Sequence, residues 1–350
     1  MGVFNHSEFD NHEEVCFAHD KKTGLKAIIA IHNTKRGPAL GGCRVWPYET
    51  EEEALYDVLR LARGMTYKAA ISDLNLGGGK AVIIKDPNVQ EISHDQIVSF
   101  GRQVEKMCGR YITAEDVGTT AAHMELIRGE TKHVVGLPRA SGEGRSGNPS
   151  PVTAYGIYKG IMAAVKHKLN KDSLKGIRIA VQGAGHVGYE LCKLLSQDGA
   201  ILLVTDIRPE AIDHIVKDCG ATPISPKEIY EQDVDVFSPC ALGASIKPET
   251  IAQLKASIVA GGANNQLEHP ECGRLLMKKG ILYAPDYVIN SGGLINVTYE
   301  FQGGKYDRAV ALKHVSRIYN TLMEIFELAE RQECSTAEAA DKVAEARFKD

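Results

Sequence analysis

The stretch "GIRIAVQGAGHVGYELCKLLSQDGAILLVTDI" (176–207) decides the fold. An apolar run, IRIAV, leads into Gly183, Gly185 and Gly188, spaced as GxGxxG. A helical pattern, a second apolar run and Asp206 follow. A lone GxGxxG is weak evidence. A strand before it, a helix after it and an acid about 20 residues on make it the dinucleotide fingerprint of a Rossmann-type βαβ unit. The first glycine permits the tight turn, the second lets the backbone approach a pyrophosphate, and the third lets helix and strand pack closely. The helix N-terminus stabilises the phosphates. Gly183, Gly185, His186, Val187 and Gly188 are therefore expected along the cofactor. Asp206 is expected to accept hydrogen bonds from the ribose hydroxyls and to repel a 2'-phosphate, which favours NAD over NADP. Arg208, two residues on, tempers this, because an arginine there can meet a 2'-phosphate. A solvated strand-end carboxylate is the plainer reading of Asp206.

Working outward, short strands are expected at VDVFSP (234–239), ASIVAG (256–261) and GILYAPDYV (280–288), with helical periodicity over most of 307–347. Alternating strands and helices imply a parallel sheet. On the other side, LPRASGEGRSGNPSP (137–151) is rich in Gly, Ser, Pro and Arg and reads as a loop or interdomain hinge. The 350 residues suit two domains. In the first half, CFAHDKKTGLKAIIAIHN (16–33) reads as two strands around a Lys-Thr-Gly turn. ETEEEALYDVLRLARGMTYKAA (49–70) reads as a helix that opens on a Thr50/Glu53 capping box, with an apolar stripe of Leu55, Val58, Leu59, Ala62 and Met65. AVII (81–84) is a short buried strand, and 93–107 and 121–130 are helices.

The composition excludes several function classes. With a net charge of −4 and a pI near 6.3, no basic field exists to attract nucleic acid or an anionic membrane. The eight cysteines are scattered, with no CxxC pair and no His/Cys group at zinc spacing. No metal site is expected, and the pattern fits a reducing cytosol. The N-terminus has no basic start followed by an apolar run, and no apolar stretch reaches membrane-spanning length, so a cytoplasmic protein is expected.

One charged residue stands out in LNLGGGKAVII (74–84). Lys80 is not the lysine of a phosphate loop, because that motif needs glycine at 74 and Ser or Thr at 81, where Leu74 and Ala81 stand. A second lysine, Lys68, closes RGMTYK. Two lysines near one pocket repel, which lowers the pKa of one. The neutral lysine can act as a general base, and the charged one can hold a carboxylate. Asp116, in RYITAEDVGTT, would complete such a site. The plain alternatives are a helix-end lysine that complements the helix dipole and an EDVG turn. On chemistry alone the two readings stand level.

The motifs GPALGGCRVWPY, RLARGMTYK, LNLGGGKAVII, YITAEDVGTT, SGNPSPVTA, VQGAGHVG, FSPCALG, AGGANNQL and YAPDYVINSGGLINV together resemble the Glu/Leu/Phe/Val dehydrogenase family, from about residue 20 to about 347. The resemblance implies an α/β fold of two domains separated by a cleft. Residues 1–140, with a C-terminal helix at about 330–350, would form the substrate-binding and oligomerisation domain. Residues 141–329 would form the Rossmann-type NAD-binding domain. It further implies that Lys68 binds the substrate carboxylate, Lys80 activates water, and Asp116 moves protons to and from the substrate nitrogen. The triple glycine would let the backbone pass close to the substrate and aim Lys80 inward. Gly41 and Gly42 would line the site. Asn264 and Asn265 would lie beside nicotinamide and substrate, with Asn265 favoured for the substrate. Thr153 would contact the nicotinamide amide, and Cys240 and Ala241 would lie along the cofactor.

The same resemblance places Leu40, Met65, Ala114, Leu294 and Val297 around the substrate side chain. All are apolar, which disfavours the second carboxylate of glutamate. The implied activity is NAD-dependent, reversible oxidative deamination of a branched-chain L-amino acid to the 2-oxo acid, ammonia and NADH. One methylene is worth only about 1–3 kcal/mol of discrimination, so leucine, valine and isoleucine are all expected substrates. Phenylalanine or tryptophan is the alternative. A catalytically silent NAD-binding regulator is a further one, although it need not keep Lys68, Lys80 and Asp116. The branched-chain members continue about one helix's length past AADKVAEAR, whereas this chain ends at FKD. Both a homodimer and an octamer are therefore expected possibilities.

Overall fold

The computed structural model describes residues 2–137, 148–241, 243–301 and 306–349. Most of the expected hinge, 138–147, lies outside the described residues. Two compact units emerge. The first comprises Met1–Gly147, Val297–Asp307 and Ala344–Asp350, and the second Asn148–Asn296 and Arg308–Val343. Of the C-terminal segment expected with the first domain, only Ala344–Asp350 joins that unit.

The first unit is built on strands β1 (Glu14–Asp20), β2 (Leu25–Asn33) and β3 (Ala39–Trp46), helix α1 (Glu51–Ile71), β4 (Gly77–Ile84), α2 (His94–Lys106), β5 (Tyr111–Glu115) and α3 (Ala121–Arg128). The sheet order is β1-β2-β4-β3-β5. β1, β2 and β4 run antiparallel in turn, and β4, β3 and β5 run parallel. Strand β2 is buried along almost its whole length because both sheet faces are covered. Alternation sorts its side chains. Ala27, Ile29 and Ile31 join Ala81, Ile83, Phe100, Val104 and Tyr111 in one core, while Ile28 and Ala30 join Val82, Leu55, Val58, Leu59 and Ala62 of α1 in the other.

Helix α1 starts where expected. The Thr50 hydroxyl accepts from the Glu53 N–H, but the Glu53 carboxylate turns to the Glu49 N–H, so the box closes on one side only. The complete capping box is at Ser93 and Gln96, opening α2. Strand β4 begins at Gly77, not at Ala81. The glycines are part of the strand.

The second unit comprises α4 (Ser150–Leu169), β6 (Arg178–Gln182), α5 (His186–Gln197), β7 (Ile201–Thr205), α6 (Pro209–Cys219), β8 (Thr222–Pro223), β9 (Val236–Pro239), α7 (Pro248–Gln253), β10 (Ile258–Val259), α8 (Glu271–Lys278), β11 (Leu282–Tyr283), α9 (Asp286–Ile289), α11 (Arg308–Val315), α12 (Ile318–Gln332) and most of α13 (Thr336–Phe348); α10 (Gly292–Phe301) runs across the division. Its sheet order is β11-β10-β9-β6-β7-β8, parallel throughout. Counted within the unit this is 3-2-1-4-5-6, the doubly wound order of dinucleotide-binding folds. The strand expected over 280–288 is confined to Leu282–Tyr283. Pro285 has no N–H to donate to a ladder, and a short helix begins after it.

Candidate active site

Period-two alternation gathers the polar residues of the first unit on the sheet face that α1 covers. Lys80 shares the parity of Val82, which packs against α1, and Gly78 shares it too. In β3, Ala39, Cys43 and Val45 face the other core, which leaves Leu40, Gly42 and Arg44 toward α1. The register pairs Leu40 with Gly78 and with Ile112, and Gly42 with Ala114, so Ala114 and, beyond the strand end, Asp116 fall on the same face. Lys80, only 4% exposed, donates to Asp116 Oδ2. Asp116 Oδ1 accepts from Arg44 Nε at 3.1 Å and from the Val117 N–H at 2.7 Å. Burial alone would raise the Asp116 carboxyl. The Lys80 ammonium and the Arg44 guanidinium outweigh burial and hold it below the usual carboxylate value.

The loop after β5 is fixed by its own bonds. The Asp116 N–H donates to Thr119 Oγ1 at 2.9 Å, and Thr119 Oγ1 donates to the Cys43 carbonyl at 3.1 Å. Gly118 turns the chain at φ +79°, where a Cβ would stand 2.2 Å from the Val45 carbonyl oxygen. The Tyr111 hydroxyl, fully buried, donates to the Gly41 carbonyl at 2.6 Å. The triple glycine also has a packing role that the sequence does not suggest. None of Gly77, Gly78 and Gly79 has a positive φ. A Cβ on Gly78 would stand 2.0 Å from the Thr66 amide nitrogen of α1, and one on Gly79 2.9 Å from the Tyr111 ring. The glycines let α1, which carries Met65 and Lys68, and the Tyr111 ring close over the strand. A Cβ on Gly42 would crowd Asp116 itself, 2.8 Å from its Cβ.

The sequence reading passed over Arg44, although it lies inside the quoted GGCRVWPY. Arg44 donates to Asp57 Oδ2 at 2.7 Å, an oxygen that also accepts from the Tyr48 hydroxyl at 2.7 Å, and Arg60 donates to Asp57 Oδ1 at 2.8 Å. Asp57 is 7% exposed although it lies off the expected apolar stripe of α1, so no local pattern marked it.

In the second unit the glycine turn follows β6, and Cys240 and Ala241 follow β9, the neighbouring strand at the point where strand order reverses. The Cys240 N–H donates to the Gln182 carbonyl at 2.7 Å. Gly183 lies at φ +112°, and a Cβ there would stand 2.7 Å from Ala241 N. A Cβ on Gly188 would stand 2.0 Å from the Gly183 carbonyl oxygen. Gly185, the N-cap of α5, has nothing within 4 Å of its Cβ position. The helix has neither a side-chain cap nor an acid in its first turn. Two glycines are thus required by packing, and the third faces open space before an uncapped helix N-terminus, which fits a dinucleotide pyrophosphate. His186 is exposed and Val187 half-buried in that first turn.

Asp206 Oδ2 accepts from the Ala184 N–H at 2.7 Å, and Oδ1 accepts from the Arg208 N–H at 2.9 Å and its Nε at 3.3 Å. Burial would raise this carboxyl too, but those donors hold it below its usual value. Asp206 therefore braces the glycine turn and pairs with Arg208. Thr153 lies in α4, its hydroxyl donating to the Pro149 carbonyl at 3.0 Å. Asn264 Oδ1 accepts from Asn290 Nδ2 at 2.8 Å, whereas Asn265 is exposed at φ 50°. Gln266, also unforeseen, is fully buried and donates to the Gly261 and Ala263 carbonyls at 2.8 and 3.0 Å, which fixes the loop. Leu294 and Val297 stand three residues apart on α10, the first buried and the second half-buried. Among the described residues no group of His, Cys, Asp and Glu could hold a metal ion.

Known proteins resemble the chain over nearly its whole length. Residues 12–133 match the family model of the Glu/Leu/Phe/Val dehydrogenase dimerisation domain, and residues 205–348 match that of the glutamate/leucine/phenylalanine/valine dehydrogenases. The leucine dehydrogenase of Thermoactinomyces intermedius is 52% identical over 99% of this chain and 94% of its own. The valine dehydrogenase of Streptomyces virginiae is 43% identical over 99% and 96%. The crystal structure of L-tryptophan dehydrogenase from Nostoc punctiforme superposes with a TM-score of 0.86 at 47% identity, covering 97% of this chain and 96% of that one. With a Rossmann-type unit, a buried lysine paired with an aspartate and matches of this extent, the chain belongs to the Glu/Leu/Phe/Val family of amino-acid dehydrogenases.

Proposed function

We propose that the protein catalyses the reversible, NAD-dependent oxidative deamination of L-leucine, and of valine and isoleucine, to the 2-oxo acid and ammonia. The observation that carries this reading is the pairing of buried Lys80 with half-buried Asp116 on the α1-covered sheet face, in a chain half identical to leucine dehydrogenases. NAD, when bound along Gly183–Gly188, supplies the hydride acceptor. This chain's residues do the rest. Lys68 holds the substrate carboxylate and so sets the face that the α-carbon presents. Lys80, after passing its ammonium proton to Asp116, takes a proton from the water that attacks the oxidised carbon. Asp116, ionised at neutral pH, passes the proton with which ammonia leaves. The apolar residues Leu40, Met65, Ala114, Leu294 and Val297 would surround the substrate side chain.

Asp206 supports NAD over NADP, and the description of residues 12–133 as a dimerisation domain supports a homo-oligomer formed through the first unit. No helix among the described residues is long and apolar enough to cross a membrane, and a cytoplasmic location is part of the proposal. The test is a kcat/KM series over Leu, Ile, Val, Phe and Trp with NAD. Leucine is expected to lead, with valine and isoleucine about tenfold behind. A clear preference for Phe or Trp refutes the substrate assignment.

A further inference from the structure

We infer that Arg44, anchored by Asp57, is the positioning residue of the Asp116 carboxylate, holding one oxygen so that the other is left to Lys80 and the substrate. The inference rests on the role proposed for Asp116. The geometry divides the two oxygens cleanly. Oδ2 belongs to Lys80, and Oδ1 is held by Arg44 Nε and the Val117 N–H. Arg44 is itself not free to swing. Its Nη1 donates to Asp57 Oδ2, and the Tyr48 hydroxyl and Arg60 complete the coordination of Asp57. A planar guanidinium bridging two carboxylates fixes an orientation that a lysine, a point charge on a flexible stem, does not reproduce. Arg44 stands two residues beyond Gly42, whose missing Cβ makes room for Asp116. The same short stretch of β3 therefore sets both the space around that carboxylate and its direction.

The charges around Asp116 are few. From β4 it faces Lys80 and from β3 Arg44, and the Cys43 thiol on the other face of the sheet lies within electrostatic range. The Tyr111 phenol of β5 and, from the segment before α1, the Tyr48 phenol lie within electrostatic range of it. From α1, Asp57 and Arg60 act on it through Arg44, and the same helix carries Lys68. Burial pushes the Cys43 thiol and both phenols up, so they stay neutral across the working range. Lys80 and Arg44 are thus the two cations bonded to Asp116. Removing either raises its carboxyl and moves the acid side of the activity profile upward.

The experiment compares wild type, Arg44→Gln, Arg44→Lys and Asp57→Asn, with Asp116→Asn as a reference, all as the full chain. Leucine-dependent NADH formation is followed from pH 5 to 10, with NADH affinity and thermal unfolding measured in parallel. Arg44→Gln is expected to lower kcat about ten- to a hundredfold, with KM for leucine within about threefold. Its acid limb should move up by about one pH unit. Arg44→Lys should restore the acid limb but not the full kcat. Asp57→Asn, which keeps the arginine but loosens its anchor, should lower kcat without displacing the limb as far. A merely structural arginine would change stability and leave the limb where it is. The inference is overturned if folded Arg44→Gln keeps the wild-type limb and a kcat within twofold. If Arg44→Gln does not fold, Asp57→Asn decides in its place, and a wild-type kcat there overturns the inference. An active Asp116→Asn with an unmoved limb would instead refute the reading of Asp116 itself. An inactive Asp116→Asn beside an unaffected Arg44→Gln refutes only the role of Arg44.

Discussion

The chain has two glycine-rich stretches, Leu76–Lys80 and Gly183–Gly188, and they use glycine for different reasons. In the first, three glycines lie within a strand at ordinary backbone angles. What matters is the missing Cβ, which lets Thr66 of α1 and the ring of Tyr111 press against the strand beside a buried lysine. In the second, Gly183 needs its φ of +112°, Gly188 needs its small size, and Gly185 borders empty space ahead of an uncapped helix. One stretch closes a polar site, and the other leaves open space before a helix N-terminus. A run of glycines before a lysine is therefore no evidence of phosphate binding until the strands around it are placed.

Single alanine substitutions should separate the two. Gly78→Ala is expected to have the largest effect on stability. Its Cβ would meet a backbone nitrogen that cannot rotate away, and overpacking of this kind costs about 3 kcal/mol. Urea unfolding should show that loss, and a wild-type midpoint would break the packing account. Gly185→Ala should do the opposite. Nothing lies near the new methyl, so unfolding should be unchanged, while NADH binding should weaken by about 1.4–2.8 kcal/mol, ten- to a hundredfold in Kd. Unaltered NADH affinity would remove the pyrophosphate from that turn.

The comparison also shows what the sequence could disclose. The GxGxxG turn was legible because strand, glycines, helix and Asp206 all lie within 32 residues, and local spacing fixes such a unit. The expected first-unit site stood level with plainer readings until the resemblance was added. Lys68, Lys80 and Asp116 are far apart in sequence, and nothing local says that β3, β4 and β5 run side by side. Arg44 and Asp57 stayed hidden for the same reason. Their partners come from β5 and α1, and an arginine in an apolar strand has no distinctive local pattern. The packing role of Gly78 and Gly79 was not legible because the expected strand started at Ala81, whereas β4 begins at Gly77. The helices from Arg308 to Val343 were correctly periodic, but periodicity does not say which unit a helix packs on.

The smallest effect is expected at the rim of the second site. Asp206 spends its oxygens on Ala184 and Arg208. Asp206→Ser removes the charge that opposes a 2'-phosphate and leaves Arg208 to meet it. The ratio of NADPH to NADH affinity should rise about tenfold, near 1.4 kcal/mol. An unchanged ratio would mean that cofactor choice is made elsewhere.

The central claim is that the Lys80–Asp116 pair carries out the deamination of an apolar amino acid while the second unit holds NAD. The most direct measurement is the initial rate of NADH and ammonia formation from L-leucine and NAD, wild type against Lys80→Ala, with NADH affinity recorded for both. The account predicts matched NADH and ammonia production by wild type, a loss of about 10²–10⁴ in kcat for Lys80→Ala, and equal NADH affinity. Ordinary turnover by Lys80→Ala, or a wild-type protein that binds NADH and releases no ammonia from leucine, would contradict it.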